Sequence, residues 1–307
     1  MAFRLPIIVL SLCLFAMPSR ADSVQIDALF DASFFDAITS RNLGGNNHIS
    51  AGVTNSGDIH RAVFWMDIAG LLPSGAIVNS ASFEFDVTRQ GGPQGSAGNT
   101  FSLHRVLTDW DEGTGTGNLG SVTNDGATWD NATAATTWTT PGGDFASTDS
   151  GQAFVDYTGP GSQTFSLGNA QLAADVQAML DGTVSNYGFL LLPIDESAQG
   201  SAMRITSREG GNAARLVIDF TVVSGDINAD GFVGAADLDL LLANWGTSSA
   251  MSDADGDGTV GQGDLDIVIS QWGDGTLPDV NIPEPGALAL LATGGLLFSR
   301  RRRTCRV

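Results

Sequence analysis

Regular alternation of apolar and polar side chains leaves a chain few folding choices, and this one alternates repeatedly between Val24 and Val223. In ASFEFDVT, residues 81–88, Ala81, Phe83, Phe85 and Val87 alternate with Ser82, Glu84, Asp86 and Thr88. That pattern describes a strand buried on one face and wet on the other. RAVFWMDI at 61–68, TFSLHRVLT at 100–108, QAFVDY at 152–157, YGFLLLP at 187–193, AMRITS at 202–207 and ARLVIDFTV at 214–222 read alike. Only NAQLAADVQAML breaks the period, with Leu172, Val176, Met179 and Leu180 at helical spacing, Asn169 as N-cap and Gly182 as the stop. Many short strands, glycine-rich turns and one helix predict a mainly β fold, an antiparallel β-sandwich of the jelly-roll kind over residues 22–223.

The chain then changes character. DINADGFVGAAD at 226–237 places an oxygen-bearing side chain at every second position, and DADGDGTVGQGD repeats the arrangement at 253–264. Aligned as far as Gly246 and Gly273, the two copies agree at 10 of 21 positions. Calcium takes six to eight hard oxygens, and a twelve-residue loop supplies them from positions 1, 3, 5, 7 and 12 around a glycine at 6. The first loop offers Asp226, Asn228, Asp230, the Phe232 carbonyl and Asp237; the second offers Asp253, Asp255, Asp257, the Thr259 carbonyl and Asp264. Two Ca2+ ions are expected, with Val233 and Val260 at position 8 pinning the loops together through a short strand-like contact. After each loop, Leu238, Leu241, Leu242 and Trp245, then Leu265, Val268, Ile269 and Trp272, recur at helical spacing. The two stripes are expected to cover each other in a small all-α calcium-binding domain over 224–275, marginal without metal.

Charge narrows the partners. Thirty-four acidic residues face fourteen arginines, without a lysine. No nucleic acid is expected, since binding one needs a basic surface. The only cysteines, Cys13 and Cys305, fall in terminal segments, so the body has no thiol for a disulfide or thiolate site.

Both ends read as signals. MAFRLPIIVLSLCLFAMPSRADS has Arg4, an apolar run from Leu5 to Met17 and a small-x-small site ending at Ala21, the layout of a secretory signal peptide over 1–21. After a linker at 276–282, NIPEPGALALLATGGLLFSRRRRTCRV carries Pro283, Glu284 and Pro285, an apolar helix over 286–299 and four arginines at 300–303. As a helix the apolar stretch reaches about 20 Å against a hydrocarbon core of about 30 Å. Removing both ends leaves 33 acids and seven arginines over 22–282, a net charge near −26.

Three resemblances accompany these readings. The tail from Pro283 closely resembles the PEP-CTERM sorting signal, which implies recognition by a membrane-embedded exosortase and a transient or permanent membrane anchor. HRAVFWMDIAGLLPSGAIVNSASFEFDVT, LHRVLTDWDEG, LAADVQAMLDGTVSNYGFLLL and ITSREGGNAARLVIDF resemble, in that order, the DNRLRE domain. That implies a surface-protein β-sandwich similar to some carbohydrate-binding modules. The loop-helix repeats with Asp at position 12 resemble type I dockerin, which implies docking onto a cohesin-like partner.

Few residues suggest catalysis. His48, His60 and His104 are scattered through strands, no GxSxG is present, and GTGNLG at 115–120 lacks the strand and helix of a dinucleotide site. DWDEG at 109–113 pairs Asp111 with Glu112 and is the one arrangement a polysaccharide-degrading enzyme would use. Trp65, Trp110, Trp129 and Trp138 can stack on sugars or pack. The sequence is read as an exported, non-catalytic surface or matrix protein binding polysaccharide or exopolymer. A scaffold binding a cohesin-like protein and an accessory polysaccharide-degrading enzyme are the alternatives.

Overall fold

A computed structural model describes residues 21–72, 76–91, 98–122 and 125–275. The signal peptide apart from Ala21, the linker at 276–282, Pro283, Glu284, Pro285 and the C-terminal hydrophobic helix lie outside the described residues.

The first five strands are β1 (Ala21–Asp27), β2 (Phe30–Phe35), β3 (Arg41–Asn42), β4 (His48–Val53) and β5 (Ile59–Trp65). A short helix α1 (Ile68–Leu71) leads to β6 (Ala76–Gln90), β7 (Asn99–Arg105), β8 (Ser121–Val122), β9 (Gly151–Val155) and β10 (Gln163–Leu167). Helix α2 (Ala170–Leu180) precedes β11 (Phe189–Pro193), β12 (Met203–Thr206) and β13 (Arg215–Val222). Helices α3 (Ala235–Ala243) and α4 (Gln262–Ser270) follow. The fold is mainly β and every pairing between strands is antiparallel.

The ladder runs β1-β13-β6-β12-β4-β5-β11-β7-β9, and β4 is its corner. Its first half pairs with β12 through Ile49 and Ala51, whereas Gly52 and Val53 pair with β5. Gly52 takes φ +114° there, and a Cβ would strike the Ser201 backbone, so glycine is required where the strand crosses over. Between the two halves lies one apolar core: Phe64 of β5 meets Phe83 of β6 at 5.0 Å between ring centroids, with Phe85, Phe101, Phe189 and Leu191 buried around them. Helix α2 adds Leu172, Val176 and Met179 to this core. Its predicted cap is in place, the Asn169 side-chain oxygen accepting the Gln171 and Leu172 N–H groups at 2.8 and 3.1 Å.

Helices α3 and α4 and the loops before them share a small cluster of Ile227, Val233, Leu241, Val260 and Val268. Two expectations are corrected here. Val233 and Val260 do not pair with each other: Val233 donates to Asp274 O and accepts from Gly273, while Val260 accepts from Gly246 and donates to Thr247 O. Each loop is therefore tied to the end of the other repeat's helix. The stripes also cover each other only through Leu241 and Val268, with Leu238 and Leu265 partly buried, because helices of nine residues have room for one layer of contact. Leu242, Trp245, Ile269 and Trp272 remain exposed.

Candidate functional site

Strand β2 carries the centre of the site, and its burial explains why no alternation marks it in the sequence. Ala32 and Phe34 face outward from the sheet, yet the segment after β7 folds over them and buries them with Val63, Val106, Trp110, Ala127, Trp138 and Leu190. Most of the tryptophans serve this second core. Trp110 is 8% exposed and donates to Tyr187 O at 2.9 Å, and buried Trp138 donates to Thr128 O at 2.8 Å. Trp110 therefore leaves little ring area free for a sugar. Trp129, half-buried, lies under the Arg61 guanidinium at 4.8 Å and edge-on to Phe34.

Trp65 is placed differently. Phe64 and Met66 point into the main core, so Trp65 points out of the sheet, directly opposite Phe30 of β2 in the ladder. The two rings sit 5.5 Å apart at 40°, with the Trp65 indole donating to Asn186 O and Phe30 46% exposed. Arg208 lies 6.0 Å from the Phe30 ring and forms an ion pair with Glu112 at 2.6 Å. The result is an aromatic platform with a charged rim.

Glu112 does not stand in a carboxylate pair with Asp111. Its Oε1 accepts the Asp31 N–H at 2.8 Å and the Arg208 Nε at 3.3 Å, and its Oε2 accepts Arg208 Nη2, while Asp111 is exposed. Burial raises the Glu112 carboxyl, opposed by these donors. Asp31, fully buried, is pushed up to about 7 by desolvation, with Glu209 and Glu112 adding to the shift and the Arg208 N–H opposing it. Sequence reasoning missed Phe30, Asp31, Arg208 and Glu209. A charge inside the otherwise apolar run LFDASFF was the available signal for Asp31.

The three histidines occupy separate environments, each already partnered: His48 by Asn47, His60 by Ser50, and His104 by Ser102 and the Ala146 carbonyl. His60, edge-on to Phe35, is lowered to about 4 by desolvation, against the attraction of Asp58 and Asp36. Because its folded value lies below the ordinary 6.5, its contribution to stability is present above pH 6.5 and is lost as pH falls toward 4. His60→Gln is expected to flatten that loss, by an amount on the order of 3 kcal/mol across the window. Urea titrations of both proteins from pH 7 to 4 measure it, and parallel profiles would refute it. Asp31 contributes a slope of opposite sign to both proteins, so it cancels in the difference.

Each aspartate loop is closed by hydrogen bonds from its own backbone to its first and last aspartates. In the first, Asp226 accepts the Asp230 and Gly231 N–H groups at 3.1 and 2.8 Å, and Asp237 accepts those of Asn228 and Gly234 at 3.1 and 2.7 Å. In the second, Asp253 accepts Gly258 at 2.9 Å, and Asp264 accepts Ala254, Asp255 and Gly261 at 2.6, 3.1 and 2.6 Å. Gly231 and Gly258 take φ +87° and +90° at the tight turn. Burial raises the Asp226 carboxyl, with Asp237 and Asp230 adding to it. Desolvation acts in the same direction on Asp264, but its backbone donors outweigh it and hold that carboxyl low.

The second loop fits a hard cation. Asp253, Asp255 and Asp257 each bring a carboxylate oxygen within 4.8 Å of the others, and Asp253 Oδ1 is buried without a hydrogen-bond partner among the described residues. Phe232 and Thr259 occupy position 7, where a backbone carbonyl would complete each set.

Against known families, residues 281–303 match the PEP-CTERM protein-sorting motif, spanning Pro283-Glu284-Pro285 and the arginines to Arg303. The signal indicates an exported protein with a tail recognised by exosortase. The DNRLRE and dockerin resemblances return no family match. The comparison with curated proteins finds no match. Among the described residues no helix is long and apolar enough to cross a membrane.

Proposed function

We propose that this exported chain is a non-catalytic protein of the cell surface or extracellular matrix that binds polysaccharide through a jelly-roll-like sandwich and calcium through its two aspartate loops. The observation that carries the glycan reading is the Phe30–Trp65 platform. Pyranose rings present a C–H face that stacks on aromatic rings, while hydroxyl groups take hydrogen bonds from charged side chains at the edge. Phe30 supplies exposed ring area, and the Arg208–Glu112 pair supplies the polar edge. Glu112 is thereby given a positioning use that needs no general acid or base.

Phe30→Ala tests the platform with the least structural damage, since the side chain is about half exposed. Glycan binding by the mature chain is expected to weaken about fivefold to tenfold, roughly 1 to 1.4 kcal/mol, with little change in melting temperature. Equal affinity of variant and wild type, measured by affinity gel electrophoresis, would remove Phe30 from the site.

One observation favours a second reading, docking onto a cohesin-like protein. Leu242 and Trp245 occupy repeat positions 17 and 20, as do Ile269 and Trp272, and all four are exposed. A duplicated apolar pair offers a partner two equivalent footprints. Trp245→Ala or Trp272→Ala alone would then preserve calcium-dependent capture by a cohesin-like module, and the double variant would abolish it. Capture of wild type with calcium chelated would count against this reading.

A further inference from the structure

Asp31, Glu112 and Glu209 come from β2, the segment after β7 and the 3-10 turn Arg208–Gly210 after β12, yet each offers a carboxylate oxygen within 4.8 Å of the other two. Arg208 lies among them. Its Nη2 is 2.6 Å from Glu112 Oε2 and 2.6 Å from Glu209 Oε1, and its backbone N–H donates to Asp31 Oδ2 at 2.8 Å. These contacts leave Asp31 Oδ1 buried with no hydrogen-bond partner among the described residues, on a side chain from a fully buried residue. A desolvated carboxylate oxygen without a donor is costly, and a bound cation is one way to satisfy it.

We propose that Asp31, Glu112 and Glu209 form a calcium site in the β-fold, separate from the two aspartate loops. With all three carboxyls ionised, as when they ligate a cation, they and the one guanidinium leave two negative charges, which one divalent ion neutralises. The donors are all hard oxygens, with no imidazole or thiol among them, which selects against zinc and copper. Calcium accepts an irregular set of six to eight oxygens, and water can complete it; magnesium demands a stricter octahedron. An ion there staples three segments that no strand pairing joins, and it holds Arg208 beside Phe30.

Equilibrium dialysis of the mature full chain against calcium near neutral pH tests the site without reference to the glycan. Wild type is expected to bind one more calcium per chain than Asp31→Asn. Glu209→Gln is expected to weaken that one ion by about tenfold or more, leaving any others unchanged. If Asp31→Asn does not give a folded circular-dichroism spectrum, Glu209→Gln decides alone, because Glu209 lies on the surface. Equal stoichiometry and affinity in wild type and the folded variants would overturn the site.

Discussion

Asn42→Ala is expected to destabilise the protein by about 3 to 5 kcal/mol, more than any single exposed substitution, since it strands three buried and one part-buried backbone group at once. Asn42 is fully buried in β3. Its Nδ2 donates to Glu112 O at 2.8 Å and Ala127 O at 2.7 Å, while its Oδ1 accepts from Gly44 N at 2.9 Å and Gly115 N at 3.1 Å. One amide thus does for the loop what a strand would do elsewhere: it satisfies backbone groups that have left the ladder. Gly115 must be glycine, because a Cβ would strike the Asn42 carbonyl. Urea denaturation measures the loss, and hydrogen exchange at Gly44 and Gly115, whose amides Asn42 accepts, locates it. A cost under about 1 kcal/mol would show that water replaces the amide and that the loop is held by its tryptophans instead.

Removal of the proposed calcium is expected to be the second large effect. The cluster of Ile227, Val233, Leu241, Val260 and Val268 is too small to offset the ordering of about 50 residues. Each loop also gathers carboxylates that repel one another without an ion. Chelation is therefore expected to lower hydrogen-exchange protection over 224–275 by at least about a hundredfold, while in the β-fold only the segments around Asp31, Glu112 and Glu209 lose protection. The interlock adds a sharper expectation. Because Val233 is bonded to Gly273 and Asp274, and Val260 to Gly246 and Thr247, Asp264→Ala in the second loop should weaken calcium binding in the first as well. Unchanged protection after chelation would make the loops metal-independent turns, and an unaffected first loop would make the repeats autonomous.

Alternation locates most strands but not all: β7 and β11 are found although both faces are covered, and β10 is not singled out although one face is wet. β6, β7, β9, β11, β12 and β13 fall where alternation places them, and α2 begins at its predicted cap. β2 and β4, with burial on both faces after their first residue, show no alternation to read. Long-range chemistry was less accessible still. Asp31 lies 81 residues from Glu112 and 177 from Arg208, so no local spacing could join them. The aspartate loops are the opposite case: all the oxygen-bearing residues proposed for each loop lie within twelve residues, so local spacing is enough to bring them into one turn. What the sequence misjudged there was the packing, because a helical stripe says which residues are apolar and not whether a nine-residue helix has a partner long enough to cover them.

Glycan binding is tested most directly by affinity electrophoresis of the mature full chain. The chain would run through gels carrying neutral and acidic polysaccharides, with and without calcium. Retardation in at least one gel is the predicted result, and its dependence on calcium would show whether an ion takes part. Free migration in every gel would contradict the glycan reading and turn attention to the exposed Leu242, Trp245, Ile269 and Trp272.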